Sequence, residues 1–373
     1  MTMSSMSVDV VRVVTKGPGD VTGLLRLIDT GEVDPSTILA VLGKTEGNGG
    51  VNDFTREYAV AALCDALSRH LAITPRDVEK KIAFVMSGGT EGVLSPHFTL
   101  FARTPATNVP VDRAHPKRLA IGIAHTRDFL PEEVGREAQI AETVKAVHEG
   151  MRDAGIDHRR DVHFVQVKCP LLTSERVEAA RKRGREAITT SGYSSMAYSR
   201  GASALGVAKA LGELDADVHE DQVLKDWSLY SSVASASAGI ELMHNVVIVM
   251  GNSPFSTSPF VIGHAVMRDS IDLPAAVAAL ESVGLSPSDR AAGTAVNRLV
   301  NIFAKAEASP DGSIRGFRHT MLDDSDMGST RHARAAVGGL IGGLSGTGAV
   351  YVSGGAEHQG PPGGGPVAAI ARV

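Results

Sequence analysis

Three times along the chain, a continuous apolar run gives way to a stretch whose apolar positions recur every three to four residues, and then to a second apolar run that ends on a lysine. Continuous Val- and Ile-rich runs mark buried strands, and the three-to-four spacing lines apolar side chains along one side of a helix. The opening strands are predicted over 8–14, 119–124 and 260–267. Helices are predicted over 20–28 through Leu24, Leu25 and Ile28, over 141–154 through Val144, Val147 and Met151, and over 273–283 through Val277, Leu280 and Val283. The second strands, 38–44, 162–168 and 299–305, deliver Lys44, Lys168 and Lys305 at their carboxyl ends.

Each copy continues with a Thr/Ser-Arg pair that opens an Ala-rich helical stretch, over 56–67, 200–211 and 331–344. The hydroxyls of Thr55, Ser199 and Thr330 are placed to cap these helices. An arginine in a first helical turn opposes the helix dipole unless anionic or carbonyl groups lie near, so Arg56, Arg200 and Arg331 are candidates for substrate contact. A third strand, 82–87 in the first copy and 349–353 in the last, runs into a serine among small residues; the middle copy has the serine-rich run 231–237 there. Fourth strands are predicted over 97–103, 245–251 and 367–373. The chain therefore reads as α/β (α+β), with three β-α-β-α-β-β units at 1–104, 112–251 and 256–373, separated by the turn-rich segments 104–110 and 251–254.

Serine followed by glycines is ordinary turn chemistry, and a lysine at a strand end is usually solvated. Recurrence at one relative place changes both readings. Ser87, Ser237 and Ser353 each stand four residues before a glutamate, Glu91, Glu241 and Glu357, and that spacing singles out Ser237 within its serine-rich run. Serine with lysine as its base is an established alternative to Ser-His-Asp, provided desolvation or nearby positive charge lowers the amine's pKa. Lys44 and Lys305 have Glu46 and Glu307 two residues on, which in extended chain share their face and would keep those amines charged. Lys168 is followed by Cys169 and Pro170, with no acid at that place. Lys168 is therefore expected to be the working base and Ser237 the nucleophile, with Lys44 and Lys305 in secondary dyads. The turns at Ser87-Gly88, Ser237-Ala238 and Ser353-Gly354 offer backbone amides to substrate oxygens, because small side chains let a ligand approach the main chain. With the three arginines they suit a planar ring carrying several carbonyl groups.

Composition narrows the surroundings. With 373 residues and 43% hydrophobic content the chain can bury several cores, and a net charge of −5 gives no reason to expect nucleic acid or an anionic membrane as partner. No apolar stretch approaches the roughly 20 residues of a membrane span. Residues 1–7 lack the basic-then-apolar pattern of a signal peptide, and two cysteines, Cys64 and Cys169, are too few for a disulfide framework, so a cytoplasmic protein is expected. The 13 histidines include no His-x-His or His-Glu-x-x-His spacing, so catalytic zinc is not expected.

The segments Gly43-Lys44-Thr45-Glu46-Gly47-Asn48-Gly49, Ser87-Gly88-Gly89-Thr90-Glu91-Gly92, Ser235-Ala236-Ser237-Ala238-Gly239-Ile240-Glu241 and Ser353-Gly354-Gly355-Ala356-Glu357-His358-Gln359-Gly360-Pro361 together resemble the ring-opening amidohydrolases, the cyanuric acid hydrolases and barbiturases. The likeness runs from about Val8 to Val373. It implies three similar units around a central β-barrel with helices outside, an active site on the pseudo-threefold axis, a Ser237–Lys168 dyad from the middle unit, and a homotetramer. It implies ring opening of cyanuric acid to carboxybiuret, which decarboxylates to biuret, or, in a barbiturase, of barbituric acid to ureidomalonate. By the same likeness a structural Mg²⁺ or Ca²⁺ would be held by Glu307 and carbonyl groups of Ala356, Gln359, Gly360, Pro361 and Gly364, with no organic cofactor. A non-enzymatic small-molecule binder would need the same lysines and serines only for structure. His97, His244 and His358, each near a serine turn, are expected to be core or supporting residues.

Overall fold

The computed structural model describes residues 5–106, 114–214, 218–286 and 298–373. Twelve of its strands form three four-stranded sheets with one recurring order. β1 (Met6–Val14), β2 (Ile38–Thr45), β3 (Ala83–Gly88) and β4 (His97–Pro105) lie in the order β1-β4-β2-β3. β5 (Arg118–His125), β6 (Val162–Pro170), β7 (Ala234–Gly239) and β8 (Val246–Ser253) lie as β5-β8-β6-β7. β9 (Phe260–Met267), β10 (Leu299–Ala306), β13 (Tyr351–Gly354) and β14 (Gly365–Arg372) lie as β9-β14-β10-β13, and β11 (Ser313–Ile314) with β12 (Phe317–Arg318) forms a separate hairpin. In every sheet the first strand pairs antiparallel with the last, the last antiparallel with the second, and the second parallel with the third.

Parallel pairing demands a crossover, and helices supply it in each unit. They are α1 (Thr22–Asp29), α2 (Phe54–Leu71) and α3 (Pro75–Lys81); α4 (Glu137–Asp153), α5 (Ser174–Lys182) and α6 (Gly192–Leu211); and α7 (Leu273–Glu281) and α8 (Ser329–Ser345). Two of them, α3 and α5, have no counterpart in the predicted elements, nor does the hairpin. The helices also begin elsewhere than the Thr/Ser-Arg pairs indicated. Asp53 caps α2 by accepting from Thr55 N, Ser191 caps α6 by accepting from Ser194 N, and α8 starts after Gly328 without a side-chain cap. Thr55, Ser199 and Thr330 are thus inside their helices, and Arg200 lies in the middle of α6. β8 runs to Ser253, through most of the turn-rich segment predicted at 251–254, and residues 107–110 of the first such segment lie outside the described residues.

Each sheet packs its outer face on its own helices. Val13, Leu42's neighbour Val41, Leu63 and Leu67 lie in one such layer, Val147, Val165, Val207 and Val249 in a second, and Leu280, Ile302, Val337 and Val352 in a third. The inner faces meet in one shared core, with Leu42, Val85 and Phe101 from the first sheet, Phe164 and Ile248 from the second, and Phe303, Tyr351 and Ile370 from the third. The Phe303 ring lies 6.3 Å from Phe101, 5.5 Å from Phe164 and 5.6 Å from Tyr351, spacings at which aromatic pairs attract. Side-chain packing, rather than a continuous hydrogen-bond ladder, joins the sheets. The expected closed barrel is therefore not found among the described residues; isolated bridges such as Met6 to Ser256 and side-chain hydrogen bonds such as Asn252 to Ile262 O link the sheets instead. No helix among the described residues is long and apolar enough to cross a membrane.

Candidate active site

The parallel pairing of second and third strands sets each lysine opposite the serine of its own sheet: Lys44 opposite Ser87, Lys168 opposite Ser237 and Lys305 opposite Ser353. All three amines are buried, at 2%, 1% and 0% exposure. Burial disfavours an ammonium ion, and it pushes all three pKa values down. Lys44 lies well below its ordinary value, with Arg334 adding to the effect of burial, and Lys305 falls to about 7, helped by Arg200. Lys44 Nζ donates to Ser87 Oγ at 3.0 Å, and Lys305 Nζ donates to Ser353 Oγ at 3.3 Å.

Lys168 behaves differently. Its Nζ donates to Met86 O at 3.3 Å and pairs with Glu241 Oε1 at 2.8 Å. The expectation that this lysine alone lacks a neighbouring acid is thereby corrected. Alternation along the strand misled in two ways: β2 stops at Thr45, which leaves Glu46 exposed, and Glu241 reaches Lys168 from beyond the end of β7. Burial still outweighs the carboxylate, so the Lys168 pKa remains lowered. Ser237 Oγ is buried and has no hydrogen-bond partner among the described residues, whereas Ser87 Oγ accepts from Lys44 and donates to Ser353 Oγ at 3.3 Å.

One small cavity collects these groups. It is lined by Gly49, Arg56, Ser87, Gly88, Met196, Arg200, Ser237, Ala238, Arg334, Ser353 and Gly354. Of the residues predicted to bind substrate, only Arg331 stands apart. Its side chain is 42% exposed and bonds Glu91 at 3.0 Å, while Arg334, one helical turn on, is 4% exposed and turns inward. A roomier cleft elsewhere is lined by Arg268, Asp269, Asp311 and Arg315, but Arg268 pairs with Asp272, Arg315 pairs with Asp269, and Asp311 accepts from Ser309 and Ser313.

Two of the three glutamates that stand four residues after the serines hold arginines. Glu91 accepts from Arg334 Nε at 2.8 Å and Nη2 at 2.6 Å, and Glu357 accepts from Arg200 Nε at 2.8 Å and Nη2 at 2.6 Å. Such two-point pairs fix a guidinium plane as well as its position. Arg56 instead donates to Ala238 O at 3.1 Å and Gly50 O at 2.7 Å, beside Asp53, whose carboxylate also accepts from Gly49 N at 2.8 Å. The recurrent Ser-x-x-x-Glu spacing flagged these glutamates, but neither their arginine partners nor Arg334 followed from it.

None of the three histidines named from the sequence lines the cavity. His97 is buried, its pKa pushed down to about 4 by burial, with Nδ1 2.9 Å from Ser95 O. His358 accepts from Leu224 N at 2.8 Å and stacks on Trp227. His244 faces Asp128 at 3.0 Å, away from the cavity lining. Glu307, named for a cation, accepts from Ala308 N at 3.0 Å and Ala356 N at 3.3 Å, and no ion pair among the described residues engages it. Burial and Glu357 push its pKa up. A buried carboxylate beside a second one, with the oxygen-rich loop 356–364 adjoining, has the donor chemistry that hard divalent cations take. No cluster of three or more His, Cys, Asp or Glu ligands exists among the described residues, so carbonyl groups would have to complete such a site.

The family described as amidohydrolase ring-opening protein matches residues 9–372. The chain is 68% identical to a cyanuric acid amidohydrolase of Bradyrhizobium diazoefficiens, over all of both chains, and 60% identical to that of Pseudomonas sp. strain ADP, over 98% of this chain and 99% of the relative. A solved cyanuric acid hydrolase, described as an evolutionary innovation by structural concatenation, superposes with a TM-score of 0.93 at 59% identity, covering 99% of this chain and 100% of its own. The hydrolase of A. caulinodans superposes at 0.89, with 46% identity over 98% and 99%. Matched from end to end in sequence and in fold, and carrying three buried lysine-serine pairs around an arginine-lined cavity, the chain belongs to the ring-opening amidohydrolases.

Proposed function

We propose that the protein opens the ring of cyanuric acid by hydrolysis, giving carboxybiuret, which loses carbon dioxide to form biuret. The observation that carries this reading is the convergence of Arg56, Arg200 and Arg334 with the three serine turns on one cavity, a donor array matched to a flat ring with three carbonyl groups. Relatives at up to 68% identity carry the name cyanuric acid amidohydrolase.

Ser237 is the nucleophile in this reading and Lys168 its base. Ser237 lines the cavity with an unengaged hydroxyl, while the serines of the other two units bond each other and their lysines. Ser237 Oγ bonds to a ring carbonyl carbon as its proton passes to Lys168 Nζ, and the carbonyl π pair moves to oxygen. The carbon–nitrogen bond then breaks, the leaving nitrogen takes the proton from Lys168, and water releases the ring-opened acyl group from the serine. Ser87, Gly88, Ala238, Ser353 and Gly354 hold substrate oxygens, and Lys44 and Lys305 add positive potential.

The three units are proposed at 1–104, 112–251 and 256–373, related by a pseudo-threefold axis through the cavity; the recurring strand order and shared core support this. Assembly as a homotetramer is proposed on the family likeness, with sedimentation velocity as its check. Cytoplasmic residence accords with the unpaired, buried Cys64 and Cys169. Mg²⁺ or Ca²⁺ at Glu307 and the carbonyls of Ala356, Gln359, Gly360, Pro361 and Gly364 would be structural, neutralising buried carboxylate charge.

Side-by-side assays with cyanuric and barbituric acid, reading biuret and ureidomalonate, test the activity and its substrate together. Turnover of barbituric acid alone would overturn the substrate assignment. Ser237→Ala and Lys168→Ala should each abolish measurable turnover, whereas Ser87→Ala and Lys44→Ala should leave a measurable fraction; equal losses from all four would remove the privileged dyad.

A further inference from the structure

The arginine–glutamate pairs follow a cyclic order that breaks at one place. Glu91 of the first unit holds Arg334 of the third, and Glu357 of the third holds Arg200 of the second. The same order calls for Glu241 of the second unit to hold Arg56 of the first. Instead the Glu241 carboxylate lies 2.8 Å from Lys168 Nζ, and Arg56 is taken up by backbone carbonyls and Asp53.

The cause is visible in the turns. Gly89 and Gly355, two residues beyond their serines, have φ of +108° and +75°, and each lies beneath an arginine: a Cβ would come 2.5 Å from Arg334 Nη2 and 2.6 Å from Arg200 Cζ. Gly239 at the matching place is not among the glycines with positive φ, because β7 runs one residue further, through Gly239, than its two counterparts. There the group lying over the glycine is Glu241 itself, 2.1 Å from where a Cβ would sit. The longer strand thus redirects the glutamate from the arginine to the lysine. It also leaves that carboxylate 41% exposed, against 5% for Glu91 and 13% for Glu357.

We infer that Glu241 is a positioning residue for the ring-opening reaction: it fixes the direction of the Lys168 amine and stabilises the ammonium ion that forms when Lys168 takes the Ser237 proton. The inference rests on the Ser237–Lys168 assignment above and extends that pair to a Ser237–Lys168–Glu241 triad present in the middle unit only. Glu241 stays ionised throughout; the one proton that moves passes from Ser237 Oγ to Lys168 Nζ and on to the leaving nitrogen. The logic parallels the aspartate of a Ser-His-Asp triad, which orients the base and balances its positive charge without accepting its proton. Glu241 suits that role, because although partial desolvation pushes its pKa up, Lys168 beside it outweighs that and brings it down to about 2. The charged and titratable groups facing Lys168 are Glu241, Arg56 and the Cys169 thiol, and those facing Glu241 are Lys168, Arg56 and Arg176. Of these, Glu241 is the one that favours the ammonium most.

The test is the pH profile of kcat/KM for Glu241→Gln beside Glu91→Gln and Glu357→Gln. Removing a carboxylate from Lys168 lowers the amine's pKa, so the acidic limb should move to lower pH by roughly one to three units. kcat should fall by roughly 10²-fold or more. Glu91→Gln and Glu357→Gln disturb arginines, so they should change KM and leave the limb in place. Glu241→Asp should restore part of the rate, and it stands in should the glutamine variant fold poorly. An unmoved limb in Glu241→Gln, with Lys168→Ala inactive, would overturn the role of Glu241 alone. Full activity in Lys168→Ala would overturn the underlying dyad and the triad with it.

Discussion

Arg331 and Arg334 share a helix face and a partner, yet only one reaches the cavity. Three residues apart on α8, both bond Glu91, and the one a turn further along is buried against Gly49 and Gly89. Loss of a charge-assisted donor to substrate costs about 1.5–3 kcal/mol, so Arg334→Ala should lower kcat/KM by roughly 10- to 100-fold. Arg331→Ala removes a half-exposed pair and should stay within about threefold of the parent enzyme. Steady-state kinetics on the two variants check this, and reversed effects would restore Arg331 to the site. The sequence pointed to Arg331 because Thr-Arg recurs at Thr55-Arg56 and Thr330-Arg331 with Ser199-Arg200 between them. That likeness is structural for two of the three, since Arg56 and Arg331 are each the third residue of their helices while Arg200 lies deep within α6, yet on α8 it is Arg334 that turns inward. The lysines and serines were legible because strand periodicity fixes their place relative to the sheet. Which carboxylate meets which cation was not, since Glu91 and Arg334 are 243 positions apart.

At the scale of elements, the strands predicted from continuous apolar runs were read to within two or three residues, because such runs stop where the sheet stops, but β7, which carries Ser237, was not, since Ala234–Gly239 alternates alanine with serine. Helix starts were read less well. The cap of α2 is the aspartate two residues before Thr55, and α6 begins at a run of small polar residues with no apolar periodicity to announce it. The loop following β13 is the element on which cation binding depends. It is tied inward by Gly360 N donating to Ser231 O at 2.9 Å and by Gln359 Oε1 accepting from Ala236 N at 2.7 Å. A divalent cation at Glu307 would therefore brace the turn beside the middle serine. Stripping it with chelator should lower the Tm by a few degrees, roughly 3–4 °C for about 2–3 kcal/mol of lost binding energy, and adding Mg²⁺ or Ca²⁺ should restore it. Identical melting curves in chelator and in either metal would sink the site.

For the molecule as a whole, the three sheets hold their reactive ends together through one core, and the same enclosure takes three amines out of water. Unfolding returns Lys44, Lys168 and Lys305 to their ordinary values, above those they have in the native protein. A group with a depressed native pKa opposes folding fully below that pKa, and the opposition fades as pH climbs toward the unfolded value. For Lys305 the window runs from about 7 upward. Within it the unfolded chain binds more protons, so the protein should melt with net proton uptake. Calorimetry at pH 8 in buffers of high and low ionisation enthalpy would show this as a buffer-dependent heat of unfolding, reduced in Lys305→Met; identical heats would contradict it. Folding of this enzyme is in that sense an acid-releasing reaction, and alkaline solution favours the native state by taking up what the buried lysines give off.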